Sequence, residues 1–304
     1  MIDRRDPPEP RLWAIGGGKG GVGKSVIAAN LAVALASARE QVALVDLDLG
    51  GANLHTLLGM RAPDHSLADF LSRRLTTLAE AMAPTPHHSL ALISGAGPRL
   101  DMANPKHTQK VKLLRHLQTL PVDHVVLDLG AGSSFNVLDF FLAAHLGVLV
   151  LVPEPTSVEN AYHVLRAALH RRLVATEPRD RVRALLERLE EEVGAAALRS
   201  PRHLVARAML EDRPIGEALA ASAESFSPAV LVNCVETDVH RRLGRDVCTA
   251  CREYFGMAIS HLGNIERDPL VARSIALRRP AVEIDRQAPF SVGVLAVAEG
   301  LRRR

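Results

Sequence analysis

This sequence of 304 residues is short of aromatic residues, cysteine and lysine. Aromatic residues make up 3% of the chain, so a core drawn from the 47% of residues that are hydrophobic has to be mainly aliphatic. The three cysteines, Cys234, Cys248 and Cys251, are too few for a disulfide framework. No apolar run reaches the ~18 residues that a membrane-spanning helix needs, so we expect no such helix.

The basic residues are mostly arginine. The 37 Lys and Arg residues include only five lysines, and they outnumber the 34 acidic residues to give a formal net charge of +3. This mildly basic balance either reflects a compositional bias of the source genome or indicates a surface for anionic lipid or nucleic acid. The first ten residues, MIDRRDPPEP, are polar and proline-rich, unlike a signal peptide. We therefore expect a cytoplasmic protein.

Short runs of Val, Leu and Ile alternate with helical stretches along most of the chain. Because these runs are nearly continuous, they are typical of strands that are buried on both faces. The sequence therefore predicts an α/β fold with a doubly wound, mostly parallel sheet. The predicted strands cover residues 11–18, 41–48, 89–95, 123–130, 146–155, 228–235 and 258–265, and predicted helices cover 24–38, 105–119 and 134–145.

One stretch, residues 174–227, breaks this alternation because it contains no convincing strand. It holds a charged amphipathic helix over residues 180–193 and two further helical runs. We interpret it as a helical insertion within one domain that spans residues 1–304. Its alternating charges fit either a solvated face or a surface for a partner.

The stretch GGGKGGVGKS, residues 16–25, contains the pattern Gly18-x-x-x-x-Gly23-Lys24-Ser25 between a predicted strand and a predicted helix. Glycines in such a loop let backbone N–H groups surround phosphates, and the positive end of the helix dipole faces them. Lys24 would reach the β- and γ-phosphates, and Ser25 would offer its hydroxyl to Mg²⁺. The pattern therefore predicts a site for a nucleoside triphosphate.

Carboxylates stand at the ends of two predicted strands, where ligands of open α/β sheets bind. Asp128 ends one strand, and we expect it to help Ser25 hold Mg²⁺, partly through water. Asp46 and Asp48 end another strand. Because they are two residues apart, they would share one face and look toward the γ-phosphate, with Asp46 joining the metal site. A solvated strand end is the alternative for this pair.

Lys19 has no evident task, since Lys24 already serves the phosphates of its own site. The stretch KGGVGKS resembles the deviant Walker A motif of the ParA/MinD superfamily, a MinD-like (SIMIBI) group of P-loop ATPases. The resemblance implies that Lys19 reaches across a dimer interface to the nucleotide of a partner subunit. It also implies that ATP and Mg²⁺ hold together a homodimer.

Other segments carry the same resemblance, which is closest to the MinD/FlhG (FleN) branch. The stretch 45–59 is similar to the switch segment of that branch, and VPEPTSVENAY at 152–162 matches it closely. By this resemblance Asp48 orients the attacking water, Asn53 lies near the dimer interface, and Asn233 reads the adenine. The catalytic residues would be Lys19, Lys24 and Asp48, and the nucleotide-binding set would be Gly18, Lys19, Gly20, Gly21, Val22, Gly23, Lys24, Ser25, Val26 and Asn233.

The C-terminal segment PFSVGVLAVAEGLRRR leaves two alternatives open. Its apolar residues fall on one helical face and are followed by Arg302, Arg303 and Arg304. Either this face binds the inner surface of the cell membrane, as that branch does, or it belongs to the last helix of the core. The residues of the face are Phe290, Val294, Val297, Ala298 and Leu301.

The pair Cys248-x-x-Cys251 also has two interpretations. It is either a metal-binding pair, as in the Fe–S carriers of the superfamily, or two small buried cysteines on a helix. His240 and His261 are the residues that would have to complete a zinc site.

We expect an Mg²⁺-dependent ATPase whose ATP-bound homodimer binds a protein partner or a surface and whose monomer lets go. The resemblance implies a role in spatial positioning, either of flagella or of the division site. Two other functions of the superfamily stay open. One is DNA partition, with binding to nonspecific DNA, and the other is the carriage of Fe–S or other metal clusters.

Overall fold

The computed structural model describes residues 9–48, 51–95, 107–193 and 201–304. Within these residues, eight strands form one sheet. They are β1 (Arg11–Gly17), β2 (Val42–Asp46), β3 (Ala83–Pro84), β4 (Leu90–Ile93), β5 (His124–Ala131), β6 (Leu146–Leu151), β7 (Ala229–Val235) and β8 (Ser260–Glu266). Their order is β3-β4-β2-β5-β1-β6-β7-β8, and all neighbours are parallel except β3 with β4. The predicted doubly wound, mostly parallel α/β fold is confirmed.

Helices cover both faces of the sheet. In the described part of the chain they are α1 (Lys24–Ser37), α2 (Leu54–Leu57), α3 (Leu67–Leu71), α4 (His107–Leu117), α5 (Phe135–Ala143), α6 (Pro155–Val174), α7 (Arg179–Val193), α8 (Pro201–Glu211), α9 (Arg213–Glu224), α10 (Asp238–Phe255), α11 (Pro269–Ala276), α12 (Ala281–Ile284) and α13 (Pro289–Arg302). One buried core contains α1, α2, α12 and α13, and the other contains α3 to α10. Successive residues of β1 enter opposite cores, Leu12 on the α3–α10 side and Trp13 on the α1 side, as strands buried on both faces must.

The strand order reverses at β1, which lies between β5 and β6. The chain leaves β1 toward β2 on one side and later returns to build β6, β7 and β8 on the other. A crevice forms at the carboxyl ends of the strands where such a reversal occurs. The loop after β1 therefore lies at the position where open α/β sheets bind their ligands.

Some strand boundaries differ from the predicted ones. Strand β2 ends at Asp46, so Asp48 lies in the loop after it. Strand β6 ends at Leu151, and Pro155 begins α6, because the fixed φ of proline fits the first turn of a helix. Strand β3 was not predicted, since two residues are too few to show any periodic pattern.

Three helices, α7, α8 and α9, lie between α6 and β7 and are called here the helical segment. Gly216 of α9 allows a close approach to α8, since a Cβ there would come within 2.5 Å of the backbone of Met209. The guanidinium of Arg172 on α6 donates to the carbonyl of Ser222 at 2.8 Å and lies over the ring of Phe226. The C-terminal half of α6 is thus tied to the end of the helical segment.

The apolar face of α13 faces the core, which decides between the two alternatives for the C-terminal segment. All five residues of that face, Phe290, Val294, Val297, Ala298 and Leu301, are buried against α1 and β8. Arg302 pairs with Glu40 and Glu299, and Arg303 pairs with Glu299. The structure therefore favours the last helix of the core, because the apolar residues of α13 already pack inside the protein.

None of the helices in the described part of the chain combines the length and the apolar composition of a membrane-spanning segment.

Candidate functional site

The loop between β1 and α1 presents backbone N–H groups at the reversal point of the sheet. Gly21 and Gly23 have φ values of 79° and 93°, which glycine adopts without strain. Gly23 caps α1, and neither a capping side chain nor an acidic residue accompanies the first turn of the helix. The first N–H groups of the helix are therefore available to an anion, and the helix dipole favours one.

Packing explains why Gly18 must lack a side chain. A Cβ at Gly18 would lie 2.5 Å from the backbone of Asn160 on α6, which is closer than real Cβ contacts. In contrast, a Cβ at Gly20 or Gly21 would meet nothing within 4 Å. Helix α6 therefore presses on the base of the loop, while its tip projects into solvent.

Lys24 and Ser25 begin α1 and face Asp128, which lies within β5, three residues before the strand ends at Ala131, and not at the strand end that the sequence predicted. Lys24 is 8% exposed, and its aliphatic stem runs beside Gly17. The Ser25 hydroxyl and the charge of Lys24 both act on the Asp128 carboxylate, and each lowers its pKa. The structure thus brings together the lysine, the hydroxyl and one of the carboxylates that the sequence predicted.

Asp46 and Asp128 are directly opposite each other on β2 and β5, and both are 1% exposed. Burial, with the charge of Asp128, raises the pKa of Asp46 to about 7. Burial also raises the pKa of Asp128 to about 6, against the effects of the Ser25 hydroxyl and the charge of Lys24. Two buried carboxylates that resist ionisation favour a cation or protons beside them.

An Mg²⁺ ion fits this group of residues. The Oδ1 atom of Asp128 is buried and has no hydrogen-bond partner, which leaves one carboxylate oxygen available. Asp46, Asp128 and Ser25 supply oxygen ligands only, and Mg²⁺ prefers oxygen ligands with several waters retained. The site thus has the donor chemistry of the predicted metal site.

Asp48 lies in the loop after β2, so the prediction that it shares a strand face with Asp46 is wrong. Its backbone N–H donates to Oδ1 of Asp46 at 3.1 Å, and this bond turns the chain at the strand end. The Asp48 carboxylate nevertheless stays near the site, because a Cβ on Gly130 after Asp128 would be 3.8 Å from it. Its charge also contributes to raising the pKa of Asp128.

Lys19 turns away from its own phosphate loop toward the start of α6. Its ammonium forms an ion pair with Glu154 at 2.5 Å and a hydrogen bond with Thr156 at 3.3 Å. The side chain is 31% exposed. Within a single chain, Lys19 therefore binds the residues that precede and begin α6.

Glu154, Thr156 and Asn160 lie in the stretch 152–162 that resembles the MinD/FlhG branch, but the resemblance assigns them no role. The structure places all three against the phosphate loop. The sequence signal that could have identified them is the run of Pro153, Glu154 and Pro155 directly after a buried strand. Such a run indicates that a helix starts at the edge of the sheet, next to the phosphate loop.

The remaining predicted residues lie around the same edge. Val26 stands in the first turn of α1, and Val22 is buried beneath the loop. Asn53 is exposed before α2, where its amide donates to the carbonyl of Gly51 at 2.7 Å. Asn233, near the end of β7, donates to the carbonyl of Val22 at 2.9 Å.

The cysteine pair is buried on α10. Cys251 is fully buried and Cys248 is 9% exposed, and burial raises the pKa of Cys251 to about 12. His261 contacts the carbonyl of Gly263, and His240 accepts from the N–H of Glu236. Among the described residues no group of three or more His, Cys, Asp or Glu residues is arranged to hold a metal. The described structure therefore favours two buried cysteines.

A groove of about 780 Å³ lies beside Glu154, between the first half of α6 and α10. Val158, Tyr162 and Leu243 give it a mainly apolar lining, and the exposed Val239 stands at its rim. A molecule seated there would contact Glu154, the residue that holds Lys19.

A glycine loop with open N–H groups, at the reversal point of a parallel sheet and beside buried carboxylates, is the arrangement of the P-loop NTPases. The ParA family model, described as "NUBPL iron-transfer P-loop NTPase", matches residues 10–170. The chain belongs to the ParA family of P-loop NTPases. The resemblance inferred from the motifs is thereby confirmed.

Curated relatives and a solved structure add detail. The chain is 35% identical to the antiactivator FleN of Pseudomonas aeruginosa over 158 residues, which are 51% of this chain and 55% of FleN. It is 31% identical to the flagellum site-determining protein YlxH of Helicobacter pylori over 165 residues, 51% of this chain and 53% of YlxH. The chain thus spans about half the length of these relatives. The septum site-determining protein MinD of Pyrococcus horikoshii, complexed with Mg-ADP, has a similar fold, with a TM-score of 0.66 over 96% of both chains at 18% identity.

Proposed function

We propose that this chain is an Mg²⁺-dependent ATPase of the MinD/ParA type, in which ATP binding drives homodimerisation and hydrolysis reverses it. The observation that carries the proposal is the position of Lys19. Its ammonium lies outside its own phosphate site, on a partly exposed side chain at the tip of the loop, while Lys24 occupies the inside. A second lysine placed there can serve the phosphates of another subunit.

The roles of the site residues follow from their positions. The loop from Gly18 to Val26 and Lys24 would bind the phosphates, with Asn53 and Lys19 at the dimer interface. Ser25, Asp46 and Asp128 would hold Mg²⁺, which neutralises charge on the transferred phosphoryl group. Asp48 would orient the attacking water, since its carboxylate lies in the loop beside Gly130, at the same edge of the sheet.

The ion pair between Lys19 and Glu154 implies an order of events. Lys19 cannot reach a partner's phosphates while it holds Glu154, so the pair must open when the dimer forms. The pair is partly exposed, and such ion pairs contribute little to stability, about 0–1 kcal/mol. A triphosphate on the partner, with several negative charges, would compete well for the ammonium.

The cellular role we propose is spatial positioning through a protein partner, of flagella or of the division site. The names of the relatives FleN and YlxH support this role. The apolar groove beside Glu154 would suit a protein partner. Iron transfer, which the family description mentions, is left out of the proposal because Cys248 and Cys251 are buried.

The test compares Lys19→Ala with Asp48→Ala by size-exclusion chromatography with light scattering, in ATP and Mg²⁺. Lys19→Ala should bind ATP and stay monomeric. Asp48→Ala should dimerise and remain dimeric, with turnover lowered about 100-fold, the scale of losing a positioned base. Lys112→Ala, which removes an ammonium over the ring of Phe70 and far from the loop in sequence, is the control and should behave like the parent.

Two outcomes would contradict the dimer switch. Both site variants could stay monomeric, or both could dimerise like the parent protein. In either case the chain would bind or hydrolyse ATP without Lys19 moving from Glu154 to the phosphates of a partner subunit.

A further inference from the structure

Asn233 makes a direct contact with the phosphate loop that its proposed reading of the adenine does not require. It lies near the end of β7, three strands along the sheet from β5, and is 7% exposed. Its Nδ2 donates to the carbonyl oxygen of Val22 at 2.9 Å. Because a carbonyl only accepts, this bond also fixes which end of the amide faces the loop.

The carbonyl of Val22, which accepts this hydrogen bond, could otherwise accept a bond from the first turn of α1. In an α-helix extended by one residue, the carbonyl of Val22 would accept from the N–H of Val26, four residues later. In the structure the first bond of α1 runs instead from the N–H of Ile27 to the carbonyl of Gly23. By holding the Val22 carbonyl, Asn233 leaves the N–H of Val26 available at the start of the helix.

The same bond orients a second donor. The carbonyl of Val22 and the N–H of Gly23 belong to one planar trans peptide, so they point in opposite directions. With the carbonyl held toward Asn233, the N–H of Gly23 must point away from it. Gly23 fits this arrangement because its φ is 93°, and because a Cβ there would lie 2.5 Å from Nδ2 of Asn233.

We propose that Asn233 is a positioning residue for the phosphate loop, which keeps the N–H groups of Gly23 and Val26 open for phosphate oxygens. The inference rests on the proposed function only in that the ligand is a nucleoside triphosphate. It predicts that loss of the Asn233 amide weakens binding of any nucleoside triphosphate, whatever its base. If Asn233 only read the adenine, its loss would weaken the binding of ATP and leave the binding of triphosphates with other bases unchanged.

The experiment measures ATP and inosine triphosphate affinities of the full chain with Asn233→Ala, by competition against a fluorescent ATP analogue. Inosine triphosphate lacks the amino group that distinguishes adenine. Both affinities should fall by a similar factor of about 10, because the nucleotide would then have to break the new bond between the Val22 carbonyl and the N–H of Val26, which leaves a buried carbonyl without a partner. Asn264→Ala is the control, because Asn264 stands on β8 beside Val232 and its amide donates to the carbonyl of Arg241 instead.

A crystal structure of nucleotide-free Asn233→Ala provides the second readout. We expect the Val22 carbonyl to turn toward the N–H of Val26, with α1 one residue longer at its start. Asn233→Asp, studied at pH 8, replaces Asn233→Ala if that variant does not fold, because the carboxylate keeps the shape and removes the donor.

The proposal is overturned if ATP affinity falls while inosine triphosphate affinity does not, or if the Val22 carbonyl keeps its orientation in the variant. Failure of the proposed function looks different, because the unmodified protein would then not bind ATP.

Discussion

The phosphate-binding edge of the sheet and the helical segment α7–α9 differ in the burial and the pairing of their charged side chains. At the edge, Asp46 and Asp128 are buried with raised pKa values, and an oxygen of Asp128 has no partner. In the helical segment, by contrast, ion pairs lie at the surface. These pairs are Arg181–Asp212, Arg188–Glu211, Arg207–Glu211 and Arg213–Glu217.

This difference distinguishes residues whose charge a ligand would neutralise from residues whose charges are paired within the folded chain. Buried carboxylates lower the stability of the nucleotide-free protein when they are ionised, so a ligand that neutralises their charge recovers that stability. Exposed ion pairs need no ligand and contribute little individually. The family model matches residues 10–170 and therefore ends before the helical segment begins.

The largest expected effect is the loss of ATP binding in Lys24→Ala. This substitution removes the ammonium from the inside of the loop, and we expect affinity to fall roughly 100-fold or more, since each hydrogen bond to a charged group contributes ~1.5–3 kcal/mol. Isothermal titration with ATP and Mg²⁺ measures it. Arg188→Ala, which breaks one pair of the helical segment, should stay within about twofold of the parent. Equal ATP affinities for Lys24→Ala and the parent would contradict the assignment of residues 16–25 as a phosphate-binding loop.

A smaller effect should distinguish two glycines of the same loop. Gly18→Ala puts a methyl group 2.5 Å from the backbone of Asn160, so α6 or the loop must move. We expect a loss of ~1–3 kcal/mol, the usual cost of overpacking, together with weaker ATP binding. Gly20→Ala meets nothing within 4 Å and should melt within about 1 °C of the parent. Thermal unfolding of both variants, followed by circular dichroism, is the measurement. If the two variants melt alike, α6 does not press on the loop.

The sequence predicted the parts of this molecule that depend on local pattern. The loop at 16–25 and the strands around it could be placed because glycine spacing and apolar runs are local signals. Asp128 could be placed near the carboxyl edge of the sheet because it follows the apolar run of a predicted strand, although β5 continues to Ala131. Membership of the ParA family followed from the same residues.

What the sequence did not predict depends on contacts between distant segments. The ion pair of Lys19 with Glu154 joins residues that are 135 positions apart, and the contact of Asn233 with Val22 joins residues 211 apart. The C-terminal helix has the same apolar face whether it packs on α1 or on a membrane, so only the fold could choose between them. The division of residues 1–304 into one domain with an insertion at 174–227 stays a prediction.

The smallest expected effects concern two residues of β5, which should respond to acid in opposite directions. His124 at its start is buried, and its Nδ1 accepts a hydrogen bond from the indole of Trp13 at 3.2 Å. Burial is the main cause that lowers the pKa of His124. Below pH ~6.5 the unfolded chain therefore binds more protons at this residue than the folded protein, so its contribution to stability falls as the pH falls.

Asp128, four residues along the same strand, has the opposite sign. Its pKa is about 6 in the folded protein against 3.8 for the ordinary carboxyl, so the folded state takes up a proton first as the pH falls. Between pH 8 and about pH 5.5 this difference should stabilise the nucleotide-free protein by about 1 kcal/mol, or ~1.5 °C in melting temperature for a chain of 304 residues. Melting at these two pH values in EDTA, followed by the fluorescence of the single tryptophan, compares the parent with Asp128→Asn and His124→Gln. Asp128→Asn should lose part of the gain in acid, and His124→Gln should enlarge it, because the buried imidazole no longer resists a proton. Shifts of the same sign in the two variants would mean that burial does not set the protonation of these groups, and the case for a cation beside Asp128 would then rest on its unpartnered oxygen alone.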